Sequence, residues 1–274
     1  MSWSAKCVLT VLWLTFIPLP STAKTLTFAV VPQQSAKKMA EKWQPLIDYL
    51  SSYTGLNIEF RTAKDIPSFE DNLTAGMYDI AYMNPYHFVV FNDSVGYRAL
   101  AHERDKKIRG LIVVHQDSPI QTLSDLNGAE IAFPAPAAFA ATIITSAHLR
   151  KNNVAFIPRY VKSHDSVYLS VQRNFFNAGG GIFRTLNIAP ETMKNDLRVL
   201  WESKGYTPHP IATHPKMAED DRQAILNALI ALSNDSSKSF ILSKIGLSGF
   251  IASNDSDWDD VRELGIASLS RPHL

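Results

Sequence analysis

The sequence predicts an α/β protein built as two lobes, the second inserted into the first. Short apolar, β-branched runs alternate with amphipathic helical patterns along the chain. The alternation starts afresh after the strongly apolar run from Gly110 to His115. With its leader set aside, the chain has the length of one large or two modest domains. The expected organisation is a leader at 1–23, a discontinuous first lobe at 24–108 and 211–274, and a second lobe at 109–210.

The leader comes first. Lys6 is a positively charged start, Cys7 to Leu19 is mostly apolar, and Ser21, Thr22 and Ala23 are small residues at a cleavage position. Cleavage after Ala23 is expected. An uncleaved anchor is the alternative, but the apolar run falls short of the ~20 residues a membrane span needs. Cys7 lies inside the apolar run rather than after a small-residue box, so no lipid-modified terminus is predicted.

Removing 23 of the 274 residues leaves 251 and takes away the single cysteine. The mature chain must therefore rely on its core rather than on disulfides. The leader holds one of the 27 Lys and Arg residues and none of the 26 Asp and Glu, so the mature formal charge is zero. That balance, without a concentrated basic face, argues against a nucleic-acid binder.

Thr25 to Val31 reads as a buried strand ending at Pro32. Trp43, Leu46, Ile47 and Leu50 fall at i, i+3, i+4 and i+7, with Met39 a turn earlier, which marks a helix packed on a sheet. Gly55 is its expected stop, and Pro45 implies a kink or a later start. Asn57 to Arg61 and Tyr78 to Met83 are predicted strands, and Gly110 to His115 a strand crossing into the second lobe. There, Ser124 to Gly128 reads as a turn, Ala129 to Phe133 as a strand, Pro136 to Arg150 as a turn and helix, and Asp165 to Asn174 as a helix. Arg198 to Trp201 is a further strand, Ile211 to Thr213 a return crossing, and Asp220 to Leu232 a helix with Ile225, Leu226, Leu229 and Ile230 on one face. A strand running into a helix start presents unpaired backbone N–H groups to a cleft, which is a generic anion site.

The order Phe28-Ala29-Val30-Val31-Pro32, the helix with Trp43 and Pro45, Asp79-Ile80-Ala81-Tyr82, Gly110 to Val114, Ser124 to Gly128 and Ser163-His164-Asp165 resembles the phosphate/phosphite/phosphonate-type periplasmic binding proteins of ABC transporters. The resemblance covers nearly all of the mature chain. It implies a type II periplasmic binding protein, a monomer with a ligand cleft between two lobes joined by hinge strands. It also implies a small-molecule ligand, a periplasmic location, an ABC permease as partner, and neither cofactor nor metal.

At the pocket the sequence departs from that pattern. Where the family places Ser-Thr-Ser at the second-lobe helix start, this chain has Ala138-Phe139-Ala140, which leaves only backbone donors. Family tyrosines align with Ile66 and Ile108, the pocket histidine with His164, and acidic residues that hold an amino group with Arg184 and His209. A hydrogen bond to a charged group contributes ~1.5–3 kcal/mol, and ~1.4 kcal/mol is tenfold in affinity. Three lost hydroxyl donors would thus cost several orders of magnitude, so the expected ligand is a small organic anion rather than a phosphonate.

Blander readings stand beside these. Phe139 could be core, Arg184 a solvated charge, and His164 the lead into a helix cap. Tyr82 and Tyr86 could line the cleft or pack beneath it. His209 and His214 are poorly spaced for a metal. Gly179-Gly180-Gly181 lacks the Lys-Ser/Thr of a nucleotide loop and reads as a close backbone approach or a turn. A sensory protein reporting to a membrane receptor needs the same cleft, so transport and sensing stay open. An enzyme is the third class, and no nucleophile with an ordered base, paired carboxylates or metal cluster stands out for it.

Overall fold

Among the described residues, eleven strands assemble into two sheets, and the chain passes between them twice. The computed structural model describes residues 25–265; the leader and its cleavage position lie outside them. The first sheet holds β1 (Thr25–Val30), β2 (Asn57–Arg61), β3 (Ile80–Tyr82), β4 (Arg98–Glu103), β10 (Pro210–Thr213) and β11 (Phe250–Ala252), in the order β11-β4-β10-β3-β1-β2. The second holds β5 (Gly110–His115), β6 (Ala129–Phe133), β7 (Phe156–Tyr160), β8 (Ala178–Ile182) and β9 (Leu197–Glu202), in the order β7-β6-β8-β5-β9.

β1 pairs in parallel with both β2 and β3, while β10 returns antiparallel between β3 and β4. The crossings are β4 to β5 and β9 to β10. They run side by side through Ile108 and Tyr206, whose N–H groups each donate to the other's carbonyl at 2.8 and 2.9 Å.

Helix α1 (Ala36–Thr54) buries Met39, Trp43, Leu46, Ile47 and Leu50, the stripe its spacing predicts, and ends at Gly55 in a left-handed conformation (φ 73°). Pro45 neither starts nor ends it. An interior proline costs ~3 kcal/mol, and the sheet contact made by that stripe offsets the loss. Helices α2 (Ile66–Thr74) and α3 (Pro85–Ser94) follow in the first lobe. In the second, a π-helical turn, Phe139–Ile144, runs directly into α4 (Thr145–Lys151), followed by α5 (His164–Gln172), α6 (Phe183–Asn187) and α7 (Glu191–Asn195). After β10, α8 (Glu219–Asn234), α9 (Ser239–Lys244) and α10 (Asp259–Arg262) close the first lobe.

The glycine run is a strand, not a turn. β8 is a central strand, with every residue buried. A Cβ built on Gly180 would meet the Ala141 carbonyl oxygen at 2.0 Å, and one on Gly110 the Ala140 carbonyl oxygen at 2.3 Å. The two glycines thus let the π-helical turn lie directly on the sheet. The close approach expected of this run is present, made by a strand.

Candidate functional site

Between the lobes lies a small chamber with a cavity volume of ≈ 30 Å³, room for roughly two waters. The first lobe contributes Val31, Pro32, Gln33, Ile66 and Asn84, the crossings Ile108 and His209, and the second lobe Pro134, Ala138 to Ala141, Lys162 to His164 and Ile182. It adjoins a wider mouth of ≈ 740 Å³ that includes Ser35, Lys38, Lys64, Asp65, Tyr160 and Asp165.

Among the described residues, six helix starts meet around this space, at Ser35, Asp65, Asn84, Ala138, Ser163 and Ile182. Each presents N–H groups and the positive end of its dipole. Four are capped by their own side chains, each of which takes one N–H: Ser35 accepts from Lys38, Asp65 from Ser68, Asn84 from His87 and Ser163 from Ser166. Ala138 and Ile182 have no side chain that can do so, and Ile182 opens only the short α6. Among the described residues, no hydrogen bond uses the N–H groups of Phe139, Ala140 or Ala141, so three donors stand free at the chamber wall.

Buried histidines face the same space. His164 is 8 % exposed and its Nδ1 has no partner among the described residues. Burial pulls its pKa down to about 4. The Nδ1 of His209 is also unpartnered, while its Nε2 lies 3.2 Å from Gln33 Nε2. Burial, then the neighbouring Arg184 charge, holds His209 well below the usual histidine range. Both rings are neutral at pH 7. Lys162 is the one formally charged residue among those lining the chamber, and no carboxylate lines it. Its φ of 74° is a left-handed conformation unfavourable for a side chain of this kind.

Seven of the ten residues singled out in the sequence line the chamber: Ile66, Ile108, Ala138, Phe139, Ala140, His164 and His209. The other three sit elsewhere. Tyr86 is fully buried in the first-lobe core. Tyr82 is buried behind His209, its ring stacked on the imidazole at 5.2 Å and 17°. Arg184 borders a neighbouring cavity that shares Ile108, Ile182 and His209 with the chamber, and it is half-buried, held by Tyr82 and Glu103. Sequence reasoning missed Gln33, Asn84, Lys162, Ser163 and Ile182. Of these, Asn84 carried a signal, an Asn-Pro pair opening a helix.

Protonation of these histidines should oppose folding. The unfolded chain takes up the proton near pH 6.5, whereas folded His164 does so only near 4. Its contribution is therefore fully present above about 6.5 and is lost as the pH falls toward 4. Chemical denaturation across that window should show stability dropping, with His164→Asn flatter by up to about 3 kcal/mol. Equal slopes in the two proteins would place His164 in a solvated setting instead.

Comparison with known proteins gives one consistent pattern. Residues 28–258 match a family model described as ABC transporter, phosphonate, periplasmic substrate-binding protein. The phosphate-import protein PhnD of Mycolicibacterium smegmatis is 24% identical over 203 residues, covering 66% of this chain and 63% of that protein. The phosphonates-binding periplasmic protein of Escherichia coli is 20% identical over 259 residues, covering 89% of this chain and 76% of that protein. In structure, PhnD1 of Prochlorococcus marinus in complex with methylphosphonate superposes with a TM-score of 0.80 at 14% identity, covering 89% of this chain and 97% of that one.

Proposed function

The chain belongs to the phosphonate substrate-binding family of ABC transporters, whose members bind solutes rather than catalyse reactions, and we propose that it binds a small organic anion between its lobes. The observation that carries this reading is the uncapped helix start at Ala138, with three free N–H donors on a chamber that no carboxylate lines. An anionic head accepts from those donors, as at other helix starts, and the neutral rings of His164 and His209 offer further polar contacts. Ile66, Ile108, Phe139 and Ile182 enclose a short apolar body.

Charge separates the candidate heads. Lys162 and the helix end together provide little more than one positive charge. A monoanion such as a sulfonate or carboxylate is balanced by that, whereas a dianion would be desolvated without full compensation. The relatives named for phosphate and phosphonates make those anions the controls. Thermal shift and calorimetry with methanesulfonate, acetate, methylphosphonate and phosphate should rank the first two above phosphate. Tight phosphate or methylphosphonate binding with no monoanion response overturns the monoanion assignment.

Delivery to a membrane permease, after export through a leader cleaved behind Ala23, is the role proposed for the loaded protein. The lobe organisation proposed from sequence suits it, with residues 109–210 moving against the remainder about the Ile108–Tyr206 crossing.

A further inference from the structure

Arg184 lies in α6 of the second lobe, yet both of its side-chain partners belong to the first. Nη1 donates to the Tyr82 hydroxyl at 2.6 Å and Nη2 to Glu103 Oε2 at 2.6 Å. Both acceptors are held in place from their own side. Glu103 is 7% exposed at its side chain, and its Oε1 accepts from the N–H and hydroxyl of Ser248 at 3.3 and 3.4 Å. The Tyr82 ring is packed between Trp43 at 4.7 Å and His209 at 5.2 Å. A planar guanidinium bridging two fixed oxygens is a geometrically demanding, charge-assisted contact. It forms only when the lobes meet. Arg184 is not among the residues lining the chamber; it borders the adjoining cavity, which shares Ile108, Ile182 and His209 with it, and the Tyr82 ring it holds is stacked on His209.

We propose that Arg184 is a positioning residue, a latch that sets ligand affinity by holding the lobes together rather than by touching the ligand. The proposal rests on the anion-binding reading for its affinity arm and is independent of it for its conformational arm. Apparent affinity scales with the population of the binding-competent form, so weakening the latch lowers affinity through faster release. Arrival of the ligand is not slowed, because the open cleft is populated at least as much. Lysine cannot substitute, because a point charge does not span both oxygens.

The test compares wild type with Arg184→Met, Glu103→Gln and the double variant, using methanesulfonate and methylphosphonate as probes. Arg184→Met is expected to raise the dissociation rate about tenfold to a hundredfold with the association rate not reduced. Glu103→Gln should do the same in part, and the double variant should lose little beyond Arg184→Met. Small-angle scattering of the ligand-free proteins should show a larger radius of gyration for Arg184→Met. Loss of affinity in Arg184→Met alone, with additive effects and unchanged scattering, would overturn the latch in favour of direct ligand contact. Unchanged rates and unchanged scattering overturn it as well. If neither probe binds wild type, the anion reading fails, while the scattering comparison still decides the latch.

Discussion

Ala138→Asp is expected to make the protein more stable and unable to hold an anion. Ala138 occupies the cap position before the π-helical turn in an extended conformation (φ −71°, ψ 98°), the backbone state of a capping residue. A carboxylate there accepts from the free N–H groups of Phe139 to Ala141, as Asp65 does for Ser68 at the start of α2. Capping contributes about 1 kcal/mol, which corresponds to a rise in melting temperature of roughly 2–4 °C for a chain of this size. The same carboxylate repels an anion in the chamber. Two like charges about 4 Å apart at an effective dielectric near 20 interact by ~4 kcal/mol, so affinity should fall on the order of a thousandfold. Ala138→Asn separates the two effects, since it competes for the donors without adding charge and should cost less affinity. Thermal unfolding and calorimetry with methanesulfonate read both quantities. Undiminished binding in Ala138→Asp would mean that the helix start takes no part in the site.

That prediction depends on a feature only half legible in the sequence. A missing cap is visible, because Ala138 stands where four other cleft helices have Ser35, Asp65, Asn84 and Ser163. The free donors themselves are invisible, since every residue but proline carries an N–H and only the fold shows which remain unpaired. The α1 stripe was readable from its period and the β5 run from its continuous apolar, β-branched composition, and both stand where the sequence put them. Helix α3 was not, because Pro85 to Phe91 is buried all round and shows no polar face to set a period. Strand β4, with the polar residues Arg98, His102 and Glu103, hides among its own charges. Arg184 is a different case. Sequence register put it near the cleft, but its partners Tyr82 and Glu103 lie 102 and 81 residues away along the chain, and no local pattern reports such a pairing.

Gly180→Ala should be the most destructive single-atom change in the second lobe. Replacing glycine by alanine within a strand ordinarily favours folding, because the unfolded chain loses freedom. Here the sign reverses. The added Cβ would sit 2.0 Å from the Ala141 carbonyl oxygen and 2.6 and 2.7 Å from the Phe133 ring. Neither neighbour can give way cheaply, since β8 lies between β6 and β5 and Phe133 belongs to the buried core behind them. Overpacking costs ~1–3 kcal/mol and more where backbone is the obstacle, so a loss of at least about 3 kcal/mol is expected by urea denaturation. Gly179→Ala is the matched control. Its nearest atoms are side-chain methyls of Val167 and Val171 at 2.5 and 3.0 Å, which can shift, so its loss should be smaller. The surviving fraction of Gly180→Ala should also bind anions poorly, because relief of the clash lifts the π-helical turn that carries the donors. Wild-type stability in Gly180→Ala would mean that this turn can leave the sheet freely, and the N–H groups of Phe139 to Ala141 would then have no fixed position from which to select a ligand.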